Sequence, residues 1–379
     1  MKTTRASLIH RSALCSTAIA FALALSACSS DKGGGKTQSG DNGDDGGGTS
    51  STGDVKLITC DGTHESSAKP ITDACGTFIS PNGVTVKLGP YGAAMDVNEG
   101  KGFENPDPMD QSMCPGFVNL FMEDATLSAQ LLDDGPQPCT DSTPNAGTCL
   151  NMSLYSVYHP ANWPSGKIPV LTWGNGTCAQ PEGYGTLLRY IASYGFFIVA
   201  ANSREVGSGD AQKKAIDYAT AANGDPSSPY YGHLDLTKVG AMGHSQGGGA
   251  TVAATNSDSR ISAAIIFNGG DALMNATPYL AISGDLDVTA YTAASMATAI
   301  NAATGPAAYL YYHNPVGNPA DMIRGHLVLM LSPDRVGPQS VAWWQMNFDD
   351  DAKAKAQFSG TDCGLCNSST DFDYGQHGL

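Results

Sequence analysis

The stretch Lys238-Val-Gly-Ala-Met-Gly-His-Ser-Gln-Gly-Gly-Gly-Ala250 constrains this chain more than any other. A short apolar run of β character ends at Gly243. Ser245 stands two residues further on, and the small residues from Gly247 to Thr255 read as a helix. Gly243-His244-Ser245-Gln246-Gly247 therefore has the pattern G-x-S-x-G. A strand that turns into a helix this tightly leaves no room for bulky side chains beside the serine. It holds the serine in a strained conformation with its hydroxyl exposed. The helix points the positive end of its dipole at any negative charge that develops there. A glycine-rich turn that served only close packing would have no use for a hydroxyl at its apex.

Around this turn, strand-like and helix-like segments alternate from Leu150 onward. Strands are expected at Ser153–Tyr158, Ile168–Trp173, Phe196–Ala200, Leu236–Met242, Ala263–Phe267, Pro278–Ser283 and Ala307–Tyr312. Helices are expected at 184–194, closed by Gly195, at 210–222, after the Ser245 turn, at 289–303 and at roughly 339–358. Phe196–Ala200 is continuously apolar, as a parallel strand buried on both faces should be. The alternation predicts an α/β fold, a mostly parallel sheet with helices on both faces. Sites in such sheets lie at the carboxyl ends of the strands.

The N-terminal part reads differently. Lys2, Arg5 and Arg11 precede an apolar run from Ala13 to Leu25, too short to span a membrane comfortably, so residues 1–27 are expected to be an export signal. Leu25-Ser26-Ala27-Cys28 resembles the bacterial lipoprotein signal, in which acyl chains on Cys28 become the membrane anchor. Ser29 after the cysteine, with no aspartate there, implies the outer membrane or cell surface. Residues 28–54 hold Gly, Ser, Asp and Thr with almost nothing apolar, and are expected to form a flexible tether. Residues 55–149 are expected to be an N-terminal extension to a catalytic domain at 150–379. Phe117–Met122 within it is apolar enough for burial.

Of ten cysteines, Cys15 leaves with the signal and Cys28 takes lipid. The even remainder in an exported protein reads as disulfides. Local pairing suggests Cys60–Cys75, Cys139–Cys149 and Cys363–Cys366, which leaves Cys114–Cys178. No second cysteine or histidine pair gives Cys363 and Cys366 metal-ligand spacing, so no metal is expected. A net charge of −16 argues against nucleic acid as a partner.

If the Ser245 hydroxyl is a nucleophile, it needs a base, and the base needs an acid to orient it. Asp285 and Asp287 compete for the acid just after strand 278–283. His326, in Arg324-Gly-His-Leu-Val-Leu329, and His313, directly after strand 307–312, compete for the base. The longer loop before His326 leaves room to carry its ring to Ser245, so His326 is preferred. His244 adjoins Ser245, but a side chain at that position projects away from it and is expected to support or pack. The oxyanion donors are expected to be the backbone N–H of Gln246 and, from the glycine-rich turn after strand 168–173, that of Asn175, with Gly176 or Thr177 as alternatives.

With these pieces in place, residues 150–366 resemble bacterial α/β-hydrolases of the group that includes dienelactone-hydrolase-like lipases, cutinase-like polyester hydrolases and chlorophyllase-like esterases. The resemblance rests on Pro169–Thr177, Ala192–Ala200, Gly243-His-Ser-Gln-Gly-Gly248, Gly284-Asp-Leu-Asp287 and Gly325-His326. It implies the order nucleophile, acid, histidine, and its Gly-x-x-Asp spacing selects Asp287. It implies a serine carboxylic-ester hydrolase that needs no cofactor, acts on lipid, short acyl or polyester substrates, and is a monomer. The same residues would serve an acyltransferase or a peptidase, and a non-catalytic surface binding protein is the reading from a third class. Polyester hydrolases of the group usually place an aromatic residue where Asn175 stands and a tryptophan where Asn268-Gly-Gly270 stands. Action on aromatic polyesters is therefore not implied.

Overall fold

The computed structural model describes strands at 56–58, 64–65 and 77–79, and then residues 85–99, 155–177, 179–203, 206–270, 272–285, 287, 291–313, 325–361, 363–366 and 370–379. Contacts divide the chain at Ser50, and every described element belongs to the second unit. The export signal, Cys28, the tether, most of the extension, and Cys60, Cys75, Cys114, Cys139, Cys149 and Cys178 lie outside the described residues.

The described strands are β1 (Lys56–Ile58), β2 (His64–Glu65), β3 (Thr77–Ile79), β4 (Thr85–Lys87), β5 (Ala93–Glu99), β6 (Tyr155–His159), β7 (Ile168–Gly174), β8 (Phe197–Ala201), β9 (Leu234–His244), β10 (Ile261–Phe267), β11 (Tyr279–Gly284), β12 (Ala307–Tyr312) and β13 (Phe372–His377). Eleven of them form one sheet in the order β13-β12-β11-β10-β9-β7-β8-β6-β5-β1-β2. The other two, β3 and β4, pair as a separate hairpin. From β8 to β12 every pairing is parallel. Antiparallel strands continue the sheet on both sides: β6, β5, β1 and β2 beyond β8, and β13 beyond β12.

Seven helices are described: α1 (Gly185–Ala192), α2 (Asp210–Gly224), α3 (Gln246–Ser257), α4 (Ala293–Asn301), α5 (Val328–Leu331), α6 (Pro333–Asp349) and α7 (Ala352–Phe358). The pleat sends alternate side chains to opposite faces, and here both faces are covered. Leu171 and Trp173 of β7 join one cluster with Leu187, Leu188 and Ile191 of α1 and Trp343 and Trp344 of α6. Val170 joins another with Ala211, Ala215 and Ile216 of α2 and Ala250 and Ala254 of α3. That is why β7 and β8 are buried along their whole length and, Thr172 apart, apolar.

Three expectations need correction. The single helix expected at 339–358 is two helices. Asp350 takes a left-handed conformation (φ 50°) that ends α6, and the Asp351 carboxylate caps α7 by accepting from the N–H groups of Lys353 (2.8 Å) and Ala354 (2.9 Å). Strand β13 was not expected, because Phe372-Asp-Tyr-Gly-Gln-His377 is half polar. It is an antiparallel edge strand with only one face to bury. The helix expected from 289 starts instead at Ala293, where Thr292 and Ser295 form a capping box. Cys363 and Cys366 are joined as a disulfide, as their spacing suggests.

Candidate active site

Strand β9 and helix α3 meet at Ser245, which has φ 55° and ψ −115°. Such a backbone is costly for a residue with a Cβ and persists only where its surroundings enforce it. The surroundings do so through glycines. A Cβ on Gly243 would collide with the Gly247 carbonyl oxygen, and one on Gly247 would collide with that of Gly174. A Cβ on Gly269 would run into the backbone of Ser245. The Ser245 N–H donates to Phe267 O at 2.9 Å, tying the turn to the end of β10.

The four competing acid and base residues fall into two pairs. His326 Nδ1 lies 3.0 Å from Asp287 Oδ1, and both side chains are buried, 7% and 1% exposed. His313 instead lies between Asp285 (3.1 Å) and Asp373 (3.3 Å) in a cluster open to solvent. The His326 ring is 4.7 Å from that of His244, the residue before Ser245. An Nδ1–H donated to Asp287 leaves the lone pair of the His326 ring on Nε2. Gly325 has no side chain because one would strike the Asp285 carbonyl.

His244 does not face solvent. Its Nε2–H donates to the backbone oxygen of His326 (2.8 Å), so Nδ1 must accept, and the Tyr184 hydroxyl donates to it at 3.0 Å. Tyr184 in turn accepts from the Gly176 N–H at 3.0 Å. Burial, reinforced by the neighbouring His326, pushes the His244 imidazole down to about 3, so it is neutral. Burial also raises the Tyr184 hydroxyl, opposed by the Gly176 N–H, so the phenol keeps its proton.

This bridge bears on the backbone N–H groups that are expected to serve as oxyanion donors. The Gly176 N–H is already committed to Tyr184, which removes Gly176 as an alternative donor. The N–H groups of Asn175 and Gln246 enter no backbone hydrogen bond among the described residues. Gln246 opens α3, where the first N–H groups have no acceptor within the helix. Gly247 packs directly on Gly174 and Asn175, so the two turns lie back to back. The buried Asn175 side chain braces its own loop, accepting from Trp173 Nε1 (2.8 Å) and donating to the carbonyls of Ala201 (2.6 Å) and Ser203 (2.9 Å).

Residues 152–373 match the family model described as PETase, PET hydrolase-like. The chain belongs to the PET hydrolase-like family. As a PET hydrolase-like protein it is an ester hydrolase of the α/β-hydrolase fold. It is similar to the bis(hydroxyethyl) terephthalate hydrolase of Streptomyces coelicolor (strain ATCC BAA-471 / A3(2) / M145), with 23% identity over 230 residues, 58% of this chain and 70% of that protein.

Within this PET hydrolase-like site, two side chains carry structure that the motifs did not announce. Tyr184 precedes α1 by one residue and reads in sequence as an ordinary aromatic anchor. Asn268, at the end of β10, has φ 49°; an Asn before Gly at a strand end signals such a turn but not what its amide holds.

Proposed function

We propose that Ser245, His326 and Asp287 act as nucleophile, base and orienting acid in the hydrolysis of carboxylic esters. The observation that carries this reading is the strained Ser245 at the strand-to-helix turn, with the buried His326–Asp287 pair packed beside it through His244.

His326 Nε2 takes the proton of Ser245 Oγ as that oxygen bonds to the ester carbonyl carbon. The oxyanion sits against the N–H groups of Gln246 and Asn175, each worth about 10²–10³ in rate. Collapse breaks the bond to the alcohol, whose oxygen takes the proton from Nε2. Water then gives a proton to Nε2 and attacks the acyl carbon, and the acid leaves as Ser245 recovers its hydrogen. Asp287 stays ionised and stabilises the imidazolium.

Similarity to a terephthalate-ester hydrolase supports polyester or polyester-derived substrates. Asn175, and the Asn268-Gly-Gly270 turn, stand where many polyester hydrolases carry aromatic walls, which favours aliphatic over aromatic polyesters. The Cys28 signal supports a surface lipoprotein, for which loss of labelled palmitate in Cys28→Ala is the check.

The test is hydrolysis of p-nitrophenyl esters from acetate to palmitate. Ser245→Ala should lower kcat by at least about 10³-fold and abolish labelling by a fluorophosphonate. Undiminished turnover in Ser245→Ala would sink the assignment.

A further inference from the structure

We propose that Asn268 is a positioning residue of the catalytic site, its amide nitrogen holding the Asp287 carboxylate in register with the loop that carries His326. This rests on the assignment of Ser245, His326 and Asp287 given above.

Asn268 Nδ2 has three acceptors around it. It lies 2.9 Å from Asp287 Oδ2, 3.0 Å from Ser283 Oγ and 2.9 Å from the carbonyl oxygen of Gly325. Ser283 donates its own hydroxyl to the same Asp287 Oδ2 at 3.0 Å. One amide thus joins three pieces of chain: the acid, the end of β11 from which the acid hangs, and the residue immediately before His326. All three acceptors lie on one side of the amide, and they fix its orientation, because turning it over would set its oxygen against a carboxylate and a carbonyl.

The acid needs such a partner. With its side chain 1% exposed, water cannot solvate it, and a buried carboxylate is tolerable as an anion only when hydrogen bonds and countercharge replace that water. His326 serves Oδ1, while Asn268 and Ser283 serve Oδ2. Orientation follows from the same bonds. With Oδ2 pinned, Oδ1 is directed at His326 Nδ1, and the carbonyls of the two consecutive residues Gly325 and His326 are each held, the first by Asn268 and the second by His244 at 2.8 Å.

The backbone is consistent with this use. Asn268 is buried (2% exposed) at φ 49°, a left-handed conformation that asparagine tolerates better than most residues. Its N–H donates to Ile282 O at 2.8 Å. The next residue, Gly269, lies against the Ser245 backbone. The turn thereby connects nucleophile and acid.

Two substitutions separate donation from mere shape. Asn268→Gly keeps the left-handed backbone at no steric cost and deletes the amide. Asn268→Asp keeps size and backbone preference but replaces the donor with an acceptor facing a carboxylate. In the full-length protein, both should lower kcat about 10- to 100-fold, with KM changed less than about twofold. The low-field proton resonance of the His326–Asp287 hydrogen bond should broaden or vanish in both. Near-normal kcat in Asn268→Gly, or rescue by Asn268→Asp, would overturn the proposal. A wild-type protein that fluorophosphonate fails to label would instead overturn the Ser245 assignment. Labelled wild type with an undiminished Asn268→Gly would overturn the Asn268 role alone.

Discussion

At the scale of single residues, His244 shows how position along the chain and position in space part company. It adjoins Ser245, yet both of its ring nitrogens are used to join Tyr184 to the backbone of His326. Its imidazole is held at about 3, against an ordinary 6.5, chiefly by burial. Between those two values the unfolded chain binds a proton there and the folded one does not. Stability therefore falls as pH drops from about 6.5 toward 3. Melting temperature followed across that window should decline in the wild type and decline less steeply in His244→Gln, whose amide is uncharged throughout. An unchanged slope in the variant would show that other groups set the acid limit. In the sequence, His244 is legible as a supporting residue. Its partners are not, since the His326 carbonyl lies 82 positions away.

At the scale of elements, the junction of β9 and α3 depends on backbone meeting backbone. Gly247 packs on Gly174 and Asn175, so α3 and the loop after β7 touch without side chains between them. Gly247→Ala forces that contact apart. Overpacking of this kind typically costs about 1–3 kcal/mol. The displaced loop carries one of the two proposed oxyanion donors, so kcat should fall about 10²-fold or more, beyond what the loss of folded protein explains. Gly249→Ala is the control, because a Cβ there meets nothing within 4 Å. The glycine pattern makes this junction legible in the sequence itself. The break between α6 and α7 is not legible in the same way: Asp350 and Asp351 look like any polar helix surface, and it is the left-handed turn at Asp350 that decides it.

At the scale of the whole molecule, the parallel core is extended by strands from far upstream. β5 pairs with β6, and one of its residues, Asp96, fastens it to the body. The Asp96 carboxylate lies 3.2 Å from His159 Nε2 and accepts from the Tyr230 hydroxyl. Nearby, Tyr218 donates to Glu99 at 2.8 Å. Burial by itself would raise the Asp96 carboxyl, but the His159 and Tyr230 hydrogen bonds and attraction to the His159 ring outweigh it and hold the group below its ordinary value. Asp96→Ala leaves His159 and Tyr230 without that acceptor and should cost about 2–4 kcal/mol, read as a lower melting temperature at neutral pH. Because a lowered carboxyl contributes its stability in full above its unfolded value and loses it as pH falls through the lower folded one, the difference from wild type should shrink as pH falls below about 4. A deficit that persists in acid would assign the loss to packing instead.

The alternation of apolar strands with helices determined the class of sheet, and the glycines around Ser245 determined where its functional end lies. Both are local properties: a strand buried on two faces must be apolar throughout, and a tight strand-to-helix turn must lack side chains. Loop length and the Gly-x-x-Asp spacing favoured Asp287 and His326, but only the tertiary structure showed them paired, and gave Asp285 its own partner in His313. It alone brought Asn268 and Tyr184 into the site and added β13 and β5 to the sheet. Those contacts join residues tens of positions apart, and hydrogen bonds over such separations leave no periodicity or spacing in the chain that makes them.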